Sequence, residues 1–189
     1  MPRLFTGLEI PPDIADELAF LRGGMFGARW IDPDFYHLTL RFIGDVDTRV
    51  AHDFFDELER MRRPAFTVTL TGVGAFGGDR PRALVATAKP TPALMALQAE
   101  HERAARRVGL PPETRKYAPH VTLARLRGVS PEAVADYLGS RSRPSSITFE
   151  AERFILYSSR DSVGGGPYIE EASFPLGATS ESFEARASV

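Results

Sequence analysis

Polar and apolar positions along this 189-residue chain follow two different periods, and the places where the period changes mark its elements. Alternation at every second position reads as strand, and recurrence at three and four reads as a helix with one buried face. Arg3–Ile10 reads as a strand stopped by Pro11-Pro12. Asp13 to about Arg22 reads as a helix with Ile14, Leu18 and Leu21 on one face, closed by Gly23-Gly24. Arg29–Ile31 is a short strand and Tyr36–Ile43 a longer one. Asp47 is placed to cap a helix reaching about Arg62, with Val50, Phe54 and Leu58 as its apolar stripe. Phe66–Val73 and Ala83–Ala88 alternate as strands, and Thr91–Val108 forms a helix that ends before Gly109. The pattern then recurs as a strand at His120–Leu126, a helix from Pro131 to about Leu138, and strands at Ile147–Ser158 and Tyr168–Phe174.

Several neighbouring strands have no crossover helix between them. This predicts an α+β fold with largely antiparallel sheets, not a doubly wound parallel one. The long helix between two similar strands predicts one domain of two lobes over 1–177, each lobe contributing one of those strands. Beyond Leu176 the chain turns small and polar, and 178–189 reads as a frayed tail. Gly72-Val73-Gly74-Ala75-Phe76-Gly77 matches the G-x-G-x-x-G dinucleotide pattern and follows a strand. However, Gly78-Asp79-Arg80-Pro81 stands where the helix that receives the pyrophosphate must start, so the segment reads as a flexible hairpin loop. Gly164-Gly165-Gly166-Pro167 reads as a turn between strands.

Composition narrows the function classes. An apolar share of 43% and an aromatic share of 10% support a packed core. A net charge of −2 gives no basic face for a nucleic-acid duplex, although a phosphorylated ligand or one RNA end needs only a local positive pocket. Lys89 and Lys116 are the only lysines, so the cations are almost all arginine, whose planar fork suits phosphate. The absence of cysteine excludes thiol catalysis and Cys-ligated zinc and fits a reducing cytoplasm. With no signal-peptide pattern and no stretch of membrane-spanning length, a soluble cytoplasmic protein is expected.

The chemistry lies in a motif that occurs twice, as His37-Leu38-Thr39-Leu40 and His120-Val121-Thr122-Leu123. In a strand the histidine and threonine share one face while the apolar residues point to the other. Side by side, two such strands present two imidazoles and two hydroxyls to one cleft. One histidine is then free to accept a proton from water while the other donates to a leaving oxygen. The threonine hydroxyls can hold non-bridging phosphoryl oxygens. Arg41 shares the phase of His37 and Thr39, whereas simple alternation puts Arg125 on the face opposite His120 unless the strand bulges. His52 and His101 lie in charged helical stretches without such a motif and read as solvated surface. Two histidines without a nearby carboxylate or third histidine make a poor metal site.

These residues resemble the 2H phosphoesterase superfamily, which is defined by two His-x-Thr/Ser motifs, and within it the bacterial RNA 2′,3′-cyclic phosphodiesterases, once called 2′-5′ RNA ligases. The likeness spans nearly the whole chain: RLFTGLEIPP at Arg3–Pro12, ARWIDPDFYHLTLRFIGDV at Ala28–Val46, GVGAFGGDRPRALVA at Gly72–Ala86, YAPHVTLARL at Tyr117–Leu126 and GPYIEEASFPL at Gly166–Leu176. The resemblance implies a bilobal fold of two sheets about a pseudo-twofold axis with a central cleft. It also implies metal-independent, cofactor-free opening of a terminal RNA 2′,3′-cyclic phosphate to a 2′-phosphate, with 2′-5′ ligation as a minor reverse activity. His37 is then the acid at O3′ and His120 the base that activates water. Thr39, Thr122 and Arg125 contact phosphate, and Phe42 stacks on the terminal base. The expected partner is the RNA terminus, with no membrane, no obligatory protein partner and a monomeric state. The alternatives are another 2H cyclic phosphodiesterase, acting on ADP-ribose cyclic phosphate or 2′-5′ oligonucleotides, and a non-catalytic RNA-end-binding protein.

Overall fold

The computed structural model describes residues 3–141, 146–159 and 166–177. Its strands are β1 (Arg3–Glu9), β2 (Ala28–Trp30), β3 (His37–Asp45), β4 (Phe66–Phe76), β5 (Ala83–Ala88), β6 (His120–Leu126), β7 (Ile147–Ala151), β8 (Arg153–Ser159) and β9 (Ile169–Pro175). Its helices are α1 (Pro12–Ala19), α2 (Thr48–Glu59), α3 (Pro92–Arg107) and α4 (Pro131–Ser140), with a 3₁₀ turn at Pro33–Phe35. Three helices start where a short polar side chain satisfies an orphan amide: Asp47 accepts from Val50 N at 2.9 Å, Thr91 from Leu94 N at 3.4 Å and Ser130 from Ala133 N at 3.2 Å. Among the described residues no helix is long and apolar enough to cross a membrane. The tail at 178–189 and the first two glycines of the predicted 164–167 turn lie outside the described residues.

All strand pairings are antiparallel, as expected for the α+β class. The strands run in the order β7-β4-β5-β6-β3-β1-β8-β9, with β2 beside β6. The two expected sheets are therefore two leaves of one sheet, β7-β4-β5-β6 and β3-β1-β8-β9, joined where Leu38 of β3 faces Val121 of β6. The sheet cannot be flat. β7 and β8 stand six places apart in that order, about 29 Å at the usual strand spacing. Yet only Glu152 separates them in sequence, which spans about 7 Å at most. The outer edge of one leaf is therefore bent back to the outer strands of the other. On the sheet face away from the histidines, Leu38, Leu40, Phe54, Leu58, Leu94, Leu97, Val121 and Leu123 form a core in which α2 and α3 cover β3 and β6.

The structure departs from the sequence pattern in three places. Ile147–Ser158 is not one strand. ITFEA alternates buried and exposed on the edge of one leaf, and FILYSS, buried on both faces for most of its length, lies inside the other. The glycine run is not a loop either, since β4 continues through Phe76, with Val73, Gly74, Ala75 and Phe76 facing Ala86, Val85, Leu84 and Ala83. The hairpin turn comes later, at Gly77 and Gly78, both with positive φ, and a Cβ on Gly77 would meet Arg80 O at 2.2 Å. His101 is the third correction. It is fully buried on the α3 stripe of Leu94, Leu97 and Ala104, its Nδ1 donates to Leu97 O at 2.9 Å, and its ring meets the Phe154 ring edge-on. His52 is exposed, as read.

Two outcomes follow from this core. Replacing the fully buried Phe54 with Ala is expected to cost about 3–5 kcal/mol in urea denaturation. Burial holds the His101 imidazole neutral, lowering it from 6.5 to about 4. The unfolded chain then binds a proton that the native chain refuses, so stability present above pH 6.5 is lost as pH falls towards about 4. Denaturation midpoints of His101→Leu should fall less steeply than those of the parent over that window, and parallel curves would contradict this.

Candidate active site

The two motif strands carry the same burial signature. Histidine and threonine are half-buried, the residue after each is buried, one further buried residue follows, and the fifth position after the histidine is exposed. Two successive buried residues break strict alternation, and the register shows why. Opposite β1, Thr39 faces Gly7 and Arg41 faces Thr6, which leaves Leu40 unmatched. Opposite β5, Thr122 faces Val85 and Ala124 faces Leu84, which leaves Leu123 unmatched. A bulge at the same motif position in both strands flips the side chains that follow it to the other face, and in β3 a second shift, which leaves Ile43 unmatched, comes only after Phe42. Phe42 and Arg125 therefore return to the face of the histidines, and the alternation that separated Arg125 from His120 does not apply.

Arg41 is moved the other way. It is buried behind the sheet, where its guanidinium pairs with Glu102 of α3 at 2.6 Å and donates to Phe42 O at 2.5 Å and Pro111 O at 2.6 Å. The expectation that it shares the face of His37 is overturned by the bulge, and its role here is to hold the backbone.

The strands run antiparallel through Leu38 and Val121, the equivalent positions of the two motifs. His37 thus runs towards Thr122 and Thr39 towards His120, and the local twofold passes between them. Each imidazole is locked in the same way. Nδ1 of His37 donates to Phe35 O at 2.9 Å, and Nδ1 of His120 donates to Ala118 O at 2.7 Å. A carbonyl only accepts, so Nδ1 carries the proton and the lone pair of each neutral ring is left on Nε2.

The surroundings of the two rings differ. His37 is enclosed by Phe5 at 4.8 Å, Tyr168 at 5.0 Å and Tyr157 at 5.7 Å between ring centroids, and Phe5 also touches Phe42. A small cavity of about 40 Å³ opens beside it, lined by Asp34, Phe35, Tyr36, His37, Tyr157 and Tyr168. Among the described residues His120 has one such neighbour, the edge-on ring of Phe76 at 4.7 Å. Gly7 gives the close approach between β1 and β3, since a Cβ there would stand 3.0 Å from Leu38 O and 3.6 Å from the His37 ring.

Both imidazoles are held below their ordinary range. Burial is the main cause at His37, with the backbone carbonyl opposing and the charges of His120 and Arg125 assisting, and its value falls to about 4. His120 is lowered by burial and by Arg125. Arg125 is thus near enough to act on both rings. Among the described residues no three His, Cys, Asp or Glu side chains cluster to hold a metal ion. Two Nε2 lone pairs, two hydroxyls and one cation on one face suit proton transfer at both ends of a displacement at phosphorus. Residue patterns missed Phe76, Tyr117, Tyr157 and Tyr168. The first lay in the supposed loop, Tyr117 stands three residues before His120, and Tyr157 and Tyr168 lie far from both motifs in sequence.

The fold matches known proteins. The model of the LigT-like phosphoesterases matches twice, at residues 8–87 and 85–168. Relatives named RNA 2′,3′-cyclic phosphodiesterase include one from Aeropyrum pernix, 38% identical over 52% of this chain and 57% of its own length. Another, from Thermotoga maritima, is 31% identical over 71% of this chain and 72% of its own length. A third, from Bacillus subtilis, is 28% identical over 82% and 87%. The chain thus spans just over half of the first relative and most of the other two. Among solved structures, Escherichia coli LigT complexed with 3′-AMP superposes with a TM-score of 0.75 at 26% identity, covering 93% of this chain and 99% of that one. TT0787 of Thermus thermophilus shares the fold with a TM-score of 0.77 at 23% identity, covering 92% and 97%. Matched by the family model over both halves, the chain belongs to the LigT-like phosphoesterase family.

Proposed function

We propose that the protein opens a terminal RNA 2′,3′-cyclic phosphate to a 2′-phosphate, with His37 and His120 as acid and base. The observation that carries this reading is the matched pair of imidazoles, each fixed through Nδ1 by a carbonyl two residues before it, with Nε2 left for chemistry. The names of the relatives supply the substrate class. In the reaction Nε2 of His120 takes a proton from water as its oxygen attacks phosphorus. Nε2–H of His37 gives a proton to O3′ as the P–O3′ bond breaks. Thr39, Thr122 and Arg125 stabilise the charge that builds on the non-bridging oxygens. Phe42, 47% exposed on the same face, offers its ring to the terminal base. A 5′-hydroxyl in place of water makes the 2′-5′ linkage by the same proton transfers. The cysteine-free sequence suits a reducing, cytoplasmic setting.

Burial and Arg125 keep both rings neutral in the free protein. A neutral His120 is ready to act as base, whereas an acid needs a proton. The phosphate anion supplies the counter-charge that lets His37 hold one, so binding and acid activation are coupled. In a histidine NMR titration the His37 midpoint should rise from about 4 when a nucleoside 2′-phosphate is bound. An unmoved midpoint would remove His37 as the acid.

The direct test incubates the protein, with a chelator present, with an RNA ending in a 2′,3′-cyclic phosphate and identifies the product. A 2′-phosphate is expected, with a bell-shaped dependence of kcat on pH. A 3′-phosphate would reverse the leaving-group assignment. His37→Ala and His120→Ala should each lower kcat by about 10²–10⁴-fold. Arg125→Ala should lower kcat by about 10²-fold as a lost oxyanion contact, and survival of activity in both histidine variants would sink the scheme.

A further inference from the structure

Tyr117 lies in the irregular segment between α3 and β6, three residues before His120. Its ring packs against the main core, and its hydroxyl donates to Thr39 O at 2.9 Å. That carbonyl belongs to the other motif, beside the unmatched Leu40, and one position beyond the Leu38–Val121 pair where the β3–β6 ladder stops. After that pair, β6 turns to β2 for partners, with Ala124 facing Trp30 and Leu126 facing Ala28. A backbone acceptor at a bulge, next to a ladder end, needs a donor from elsewhere. Tyr117 provides it. The same segment is fastened a second time, because Pro111 O accepts from Arg41 and Glu113 N donates to Glu102, which is itself paired with Arg41. The chain leading into the second histidine is thus tied to the backbone that carries the first, on both sides of the bulge.

We infer that Tyr117 is a positioning residue for the proposed reaction: its hydroxyl, through the Thr39 carbonyl, sets the placement of Thr39 and His37 relative to His120. It touches neither substrate nor reacting atoms. A phenol suits the task because burial raises its titration well above the ordinary range, which keeps it a donor at every pH at which the protein works. The inference rests on the functional reading above, in which the Thr39 hydroxyl serves the transition state.

Tyr117→Phe removes the donor and keeps the ring. With the cyclic-phosphate RNA, kcat should fall about tenfold, as a sub-ångström misplacement does, while KM stays within about twofold of the parent. The discriminating measurement is a double-mutant cycle with Thr39→Val. If Tyr117 acts through Thr39, adding Tyr117→Phe to Thr39→Val should cost less than about twofold further in kcat. Equal factors in both backgrounds, or a lowered thermal midpoint with kcat unchanged, would overturn the inference. An activity-free arm compares the His37 NMR titration of the parent and Tyr117→Phe. Its midpoint should rise in the variant as His120 and Arg125 recede, and identical midpoints would also overturn the inference. An inactive parent with a shifted His37 midpoint would instead overturn the functional reading and leave the positioning role standing.

Discussion

The leaves of the sheet meet, among the described residues, at one facing pair of backbone positions, Leu38 and Val121, and both side chains are fully buried. Burial anchors the pair from behind, with α2 and α3 supplying the apolar surface, and antiparallel pairing then dictates what stands in front. Each histidine is one residue before this pair and each threonine one residue after it, so the four polar side chains are arranged by a single register. A slip of one residue would turn both histidines into the core. That constraint explains why the buried face is so uniform beneath a surface of imidazoles and hydroxyls.

Two matching bulges complete the site and divide the arginines. The bulge at Leu123 brings Arg125 to the histidine face, and the bulge at Leu40 sends Arg41 to the rear, where Glu102 and two backbone carbonyls fix it. One cation stands on the histidine face and one is consumed in holding the strand. The former also depresses both imidazoles, together with burial. In the proposed reaction the resting site is matched to an anion, whose arrival would let the acid hold its proton.

Most elements were legible because period and capping agreed. Asp47, Thr91 and Ser130 sit at helix starts, and the strands read at Ala83–Ala88 and His120–Leu126 coincide with β5 and β6. What escaped was decided by tertiary register. A bulge leaves no local mark in His-Leu-Thr-Leu, so the fates of Arg41 and Arg125 were not readable one strand at a time. The change from ITFEA to FILYSS did mark a boundary, since alternation gave way to a continuous apolar run, which is how a half-covered edge differs from an interior strand. His101 fell on the spacing of Leu94 and Leu97, and its polar neighbours in sequence hid that it belonged to the core stripe. Tyr117 is silent in sequence because its partner is a backbone atom from the other motif.

β4 follows the first motif and its helix α2, yet it completes the leaf of the second motif, beside β5. β8 follows the second motif and its helix α4, yet it completes the leaf of the first, beside β1. Each half of the chain has handed a strand to the other, as subunits do in a domain-swapped dimer, but here the two subunits are one continuous polypeptide. Neither half is a closed folding unit, since each would expose the edge that its sibling's strand now covers. The two histidines therefore share a fate: cutting the chain between the halves does not yield two half-sites but two unfinished sheets.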